Sequence, residues 1–258
     1  MRISKLVVIA AAATVCAGAV FAAVPKPSQA ESVIRGAARQ GRHVFVTFYK
    51  RNDAASTKML GDVKKMQGKL SSRATFTSVD VNDRAHKALV QRYGVDRSPI
   101  PLTIVLAPNG AVTAGFPRAI KKTDFSDVFV SKGKAEVLKT LQYQKLAVVC
   151  VQSSRTKHNK ESLAAAKELS SDPQFSGLVR VIRIDPRARD ESKFLRELKV
   201  NTGSREAQIA VIASLGNVLG RFSGAVSADK MVASLTKSVG GGSSSGSCGL
   251  VGGCGPAG

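Results

Sequence analysis

The sequence predicts an α/β protein in which one domain pattern is written twice. Three observations predict it. Strand-like apolar runs alternate with helical ones, the order of an α/β or α+β fold rather than of an all-β sandwich. Each half closes with a tight-turn hairpin followed by a helical stretch. The spacing also repeats: Asp80 to Val95 spans fifteen positions, as does Asp185 to Val200.

The elements follow in order. Residues 31–40 read as a short helix and "HVFVTFYK" (43–50) as a buried strand. Met59, Val63, Met66 and Leu70 recur at helical spacing. "TFTSVDV" (75–81) is a second strand, and "RAHKALVQRYGV" (84–95) a helix ending at Gly94. "LTIVLA" (102–107), the Pro108-Asn109-Gly110 turn and "AVTAGF" (111–116) form a hairpin, because Asn-Gly is a favoured tight-turn pair. A final helix over 131–141 closes the first half.

The second half repeats this with strands at 146–152 and 178–185, helices along Leu163, Ala166 and Leu169 and over 190–200, a hairpin of 207–213 and 218–224, and a closing helix over 228–237. Leu89, Val90 and Tyr93 match Phe194, Leu195 and Leu198. From Val95 to Gly110 is fifteen positions, and from Val200 to Gly216 sixteen.

The ends differ from the middle. Arg2 and Lys5 precede an apolar run over 6–23, and Ser28-Gln29-Ala30 offers a small-x-small cleavage site, the layout of a secretory signal peptide. Val20-Phe21-Ala22 is an alternative site, and an uncleaved anchor is the other use of such a run. The division expected is therefore a signal peptide (1–30), a first domain (31–143), a divergent second domain (144–237) and a flexible Gly/Ser-rich tail (238–258) that carries Cys248 and Cys254. The location expected is periplasmic or secreted, with no membrane span after cleavage.

The chain carries a formal charge of +21, with 20 basic against 9 acidic residues over 31–143 and 16 against 9 over 144–237. Nucleic acid would suit such charge, but export argues against it. A diffuse positive field outside the cytoplasm fits an anionic envelope surface, or simple solubility. Beyond residue 30 the cysteines are Cys150, Cys248 and Cys254. An odd number leaves one unpaired in a monomer, so ordinary apolar packing must hold both cores.

Together, the buried strand, the helix after it, "VDV", "YGV" and "SPIPLTIVLAPNG" resemble the thioredoxin fold over most of 31–141. Phe48-Tyr49, Asp80 and Ile100-Pro101 carry the match. The resemblance implies two tandem thioredoxin-like domains, each a central mixed sheet flanked by helices. It further implies a cis-proline at Pro101, with Pro99 a lesser candidate, and a peptide groove built from Tyr49, Asn52, Asp53, Ile100 and Pro101. The family places Cys-x-x-Cys where this chain has Asp53-Ala54-Ala55-Ser56. Exchange needs a thiolate that attacks a disulfide, which neither a carboxylate nor a hydroxyl supplies. Asp53 reads as a helix cap; the other reading, a hydrolytic pair with Ser56, lacks a base.

In the second half the matching loop (152–162) also lacks the motif, and the proline position falls near Glu206 or Ala207. Cys150 reads as a small buried hydrophobe and His158 as a solvated loop residue. Cys248 and Cys254 could close a disulfide or hold a soft metal ion; no cofactor and no metal site are expected. The leading expectation is an exported, non-catalytic module that binds a protein or peptide. Two others stand beside it. One is a thiol-disulfide oxidoreductase that uses the tail pair, and the other a basic protein adhering to an anionic envelope, screened beyond about 8 Å at physiological salt.

Overall fold

The computed structural model describes residues 28–121 and 125–240, the last four without their side chains. Two four-stranded mixed sheets organise them. In the first, β1 (His43–Tyr49) pairs in parallel with β2 (Ala74–Asp80) and antiparallel with β3 (Leu102–Leu106), which pairs with β4 (Val112–Pro117), giving the order β2-β1-β3-β4. In the second, β5 (Leu146–Val151), β6 (Val179–Ile184), β7 (Gln208–Ile212) and β8 (Val218–Ser223) repeat it as β6-β5-β7-β8. The helices are α1 (Gln29–Arg39), α2 (Ala54–Leu70), α3 (Lys87–Arg92), α4 (Lys132–Gln142), α5 (Asn159–Ser171), α6 (Ser192–Glu197) and α7 (Ala228–Gly240). The repeat expected from spacing is thus a repeat of topology. No helix among the described residues is long and apolar enough to cross a membrane.

The strand β1 reads as a continuous apolar run because both of its faces are covered. Val44, Val46 and Phe48 pack with α1 and α3 residues, whereas Phe45 points to the opposite cluster with Met66 and Val105. On that second face Thr47 and Thr103 sit opposite one another, fully buried, and satisfy each other through a 3.0 Å hydroxyl contact.

Helix α1 begins two residues earlier than the expected boundary. Ser28 accepts from the Glu31 N–H while the Glu31 carboxylate accepts from the Ser28 N–H, a capping box, and Ala30 is buried behind it. The stretch expected as one helix over 84–95 is a 3-10 turn, Arg84–His86, followed by α3. Asp83 caps that turn, and Gly94 at φ +61° ends the element in the left-handed region glycine tolerates.

Helix α4 departs most from its expected role. The sequence assigns it to the end of the first domain, but Val137 and Leu141 pack on the second sheet with Ile182 and Ile184. Its other stripe, Ala135 and Leu138, packs on Ala107 and Ala111 of the first-sheet hairpin. The Gln142 amide accepts from the Val112 N–H at 3.0 Å and donates to the Val112 carbonyl at 2.6 Å, as a strand residue would. By topology α4 is to the second sheet what α1 is to the first. Its N-terminus is held from the 3-10 turn before α6 (Arg189–Glu191): Ser131 is the cap, and the buried Glu191 carboxylate accepts from the Ser131 hydroxyl and the Gly133 N–H, both at 2.6 Å. Gly133 is required there, since a Cβ would lie 2.6 Å from Ile184 Cδ1 and 2.7 Å from Glu191 Oε2.

With α4 committed in this way, the first sheet has among the described residues no counterpart of α7, which in the second half packs beside α5. A segment rich in phenylalanine stands in that place. Phe116, Phe125, Val128 and Phe129 cover Phe45 and Phe76, and the Thr113 hydroxyl donates to the Val128 carbonyl at 2.8 Å. The expected tail overlaps the end of α7 at 238–240. Residues 241–258, with Cys248 and Cys254, lie outside the described residues, as do 1–27.

Candidate functional site

The site lies where β1 ends. Tyr49 is registered with Asp80 on one side, and Phe48 faces Leu102 on the other, so Pro101 comes next to Tyr49 across the sheet. The chain then turns through Arg51 and Asn52. Asn52 adopts φ +58°, a conformation asparagine reaches more readily than most residues. Asp80, almost fully buried, holds this turn: its Oδ2 pairs with Arg51 Nε at 2.7 Å and its Oδ1 accepts from the Asn82 N–H at 3.0 Å.

Asp53 is the cap of α2, with its Oδ2 accepting from the Ser56 N–H at 2.7 Å. Hydrogen bonds from Ser56, side chain first and backbone second, hold the Asp53 carboxyl below the usual carboxylate range. Ser56 is 1 % exposed, and its hydroxyl accepts from the Lys50 N–H at 3.1 Å. The two positions that would carry thiols are therefore both spent on the start of one helix. A buried, engaged hydroxyl does not present a nucleophile, and the hydrolytic reading of this pair has no geometry behind it.

Pro101 follows a cis peptide bond from Ile100. Its carbonyl accepts from the Arg118 N–H at 2.7 Å, and its side chain is buried, whereas Ile100 and Tyr49 are half-buried and Asn52 is exposed. Tyr49 and Pro101 are thus neighbours across the sheet, with Asn52 and Asp53 following the one and Ile100 preceding the other along the chain.

The second half shows what this place becomes without a proline. Ala207 occupies the position of Pro101: Gly224 donates to its carbonyl at 2.9 Å, as Arg118 does to that of Pro101. Ala207 has an N–H, and it donates to the Lys157 carbonyl at 2.9 Å, while the Lys157 N–H donates to the Arg205 carbonyl at 2.7 Å. The loop is zipped to the strand through the bridge Lys157–Glu206. Pro101 has no N–H to give. The Ser162 hydroxyl, buried near the start of α5 as Ser56 is in α2, donates to the Gly224 carbonyl at 2.8 Å. Here the half-exposed His158 stands at φ +60°, 3.6 Å from Glu206.

Each sheet has the same strand order with helices on both faces, and in the first half a cis-proline stands beside a strand-loop-helix junction. Each half has a thioredoxin-like fold. No family model matches the chain, and no curated protein matches it. Among solved structures it is similar to the germline-specific thioredoxin Deadhead of Drosophila melanogaster, at 24% identity over 35% of this chain and 82% of that one, with a TM-score of 0.30. It is also similar to the first two thioredoxin domains of Saccharomyces cerevisiae Eps1p, at 12% identity over 83% and 98%, TM-score 0.29. A third is the NTD_N/C domain of the alkylhydroperoxide reductase AhpF of Enterococcus faecalis, at 14% identity over 78% and 95%, TM-score 0.27.

Within the thioredoxin-like domains, Cys150 is 1 % exposed on β5, in the cluster with Ala166 and Met231. Burial pushes its thiol up to about 11, so it is a protonated apolar side chain rather than a nucleophile. No group of three or more His, Cys, Asp or Glu among the described residues could hold a metal ion. Sequence reasoning passed over Arg51, whose pairing with Asp80 fixes the turn. The signal was available, since a carboxylate closing β2 beside a basic turn invites an ion pair. The zipped loop at Lys157 left no signal, because backbone hydrogen bonds have no side-chain pattern.

Proposed function

We propose that this is an exported, non-catalytic thioredoxin-like protein that binds an extended protein segment at the first domain, beside Pro101. The observation that supports the reading best is the contrast between the two loops. At Ala207 the backbone N–H is used to hold the loop against the strand. At Pro101 that bond has no donor, and Asn52 and Ile100 are left to line the mouth. Extended partners are recognised at such places by main-chain pairing, with pockets for alternate side chains. Neither Asp53, the cap of α2, nor the buried Ser56 supplies a thiol.

Pro101→Ala tests this, because it restores the donor that closes the second domain. Extended peptides selected from a displayed library on the wild-type protein are expected to bind Pro101→Ala about tenfold more weakly or worse. Pro108→Ala, in the hairpin turn, should leave them unchanged. Equal affinity for the wild type and Pro101→Ala would remove the groove from the reading.

Export rests on the basic and apolar start of the chain. The capping box at Ser28 bears on where the leader is removed. A cut after Ala30 would delete the cap and a buried alanine, whereas a cut after Ala22 keeps both. The intact mass of the exported protein is expected to begin at Ala23. A mass beginning at Glu31 would place the cut after Ala30 and overturn this expectation.

A further inference from the structure

A second cavity lies away from this groove, beside the start of β1. It has a volume of about 420 Å3 and is walled by α1, the end of α3, the β3–β4 turn and the end of α4. Of its fourteen lining residues four are cationic, Arg35, Arg42, Arg92 and Lys139, and none is a carboxylate. Such one-sidedness is unusual even in a basic chain. The larger adjoining cleft, of about 980 Å3, sets Glu136 and Asp190 against its own arginines.

The partners of these cations are mostly neutral. Lys139 Nζ donates to the Asn109 carbonyl at 2.5 Å, and Arg42 donates to the carbonyls of Ser71 and Ala74. Among the described residues only Arg92 has a carboxylate in reach, Glu31 at 3.4 Å. Arg42 also keeps a buried Nε with no hydrogen-bond partner. A buried donor in that condition costs free energy until something accepts from it.

Most of the rest of the wall is apolar or aromatic, including Ile34, Val44, Pro108, Tyr93 and Tyr143, with the neutral amides of Asn109 and Gln142. Burial raises the Tyr93 phenol above its ordinary value, so it stays a neutral O–H donor. Tyr143 is 68 % exposed, so its ring is open to a ligand at the rim of the cavity. Small-molecule sites of a few hundred Å3 combine an apolar lining with a few polar groups that fix orientation. Here the polar groups are four cations, two phenols and two neutral amides.

We infer that this cavity binds a small amphipathic organic anion, its carboxylate, sulfonate or phosphate held by Arg35, Arg42 and Lys139 and its ring-bearing body laid against Tyr93 and Tyr143. The inference is independent of the Pro101 groove. Val44, in this wall, and Tyr49, in that groove, are five residues apart on β1.

The fluorescent sulfonate 8-anilinonaphthalene-1-sulfonate, used on the full chain, tests it. N-phenyl-1-naphthylamine, the same rings without the charge, is the control. The sulfonate is expected to saturate one site and the neutral probe to bind at least about tenfold more weakly. Arg35→Gln, on the exposed face of α1, should weaken the sulfonate about fivefold without changing the circular dichroism. Lys64→Gln, on α2, should change nothing. The chain has three tyrosines, and ring resonances of Tyr93 and Tyr143 are expected to move on binding while that of Tyr49 stays. Equal binding of the two probes, several equivalent sites, or a shift confined to Tyr49 would each overturn the proposal.

Discussion

Phe45→Ala is expected to destabilise the protein by about 3–5 kcal/mol, the range for deleting a fully buried aromatic ring. Phe45 is 0 % exposed at the centre of the first sheet's second face. It stacks on Phe76 at 5.0 Å and meets Phe125 and Phe129 edge-on or tilted at 6.1 and 6.4 Å. In the second domain the equivalent face is sealed by helix α7, whose own hydrogen bonds hold it. In the first it is sealed by side chains of an irregular segment, so the rings themselves must hold the lid. Their edge-to-face geometry adds to simple burial. Against a typical total of about 5–15 kcal/mol this is a large fraction. Urea unfolding should show the midpoint fall with little change in slope. A cost below about 1.5 kcal/mol would mean that Phe125 and Phe129 collapse into the space and that the lid is not anchored by this ring.

Between neutral pH and about pH 4 the protein is expected to lose about 3 kcal/mol of stability through His43 alone. His43 is 8 % exposed at the start of β1, edge-on to Phe129 at 5.2 Å, and its Nε2 has no partner. Burial first, and the Arg73 guanidinium second, lower its value from 6.5 to about 4. The unfolded chain takes up this proton near pH 6.5 and the folded chain only near 4, so within that window the unfolded state binds more protons. Stability therefore falls as pH drops through the window, and this residue contributes no slope above it. His43→Gln removes the imidazole. Unfolding free energies of the two proteins at pH 7, 5.5 and 4.5 should diverge in slope, with the variant flatter, whatever the carboxylates do in both. Parallel slopes would show that His43 is protonated within the fold.

Much of the fold was legible because its signals lie in side chains. The run over 43–50 announced a strand covered on both faces, and Asn109-Gly110 announced a hairpin that closes with a 2.8 Å bond from the Gly110 N–H to the Ala107 carbonyl. Parts of the site were legible as positions: Pro101 follows a cis bond beside Tyr49, and Asp53 caps α2. The role of α4 was not legible. It carries two apolar stripes, Ala135 with Leu138 and Val137 with Leu141, and periodicity cannot say which sheet each stripe serves. The phenylalanines at 125 and 129 showed no period at all, since an irregular lid has none. The closed loop of the second domain was hidden for a different reason, because it depends on an N–H that every residue but proline owns.

One helix that ends the work of the first sheet and begins that of the second makes the two halves poor building blocks. A second domain transplanted with α4 would expose the Ala135 and Leu138 stripe, and the first hairpin left behind would face water through Ala107 and Ala111. A first domain cut free before α4 would lose Gln142 from Val112 as well. Though the two halves share one topology, they cannot be traded singly.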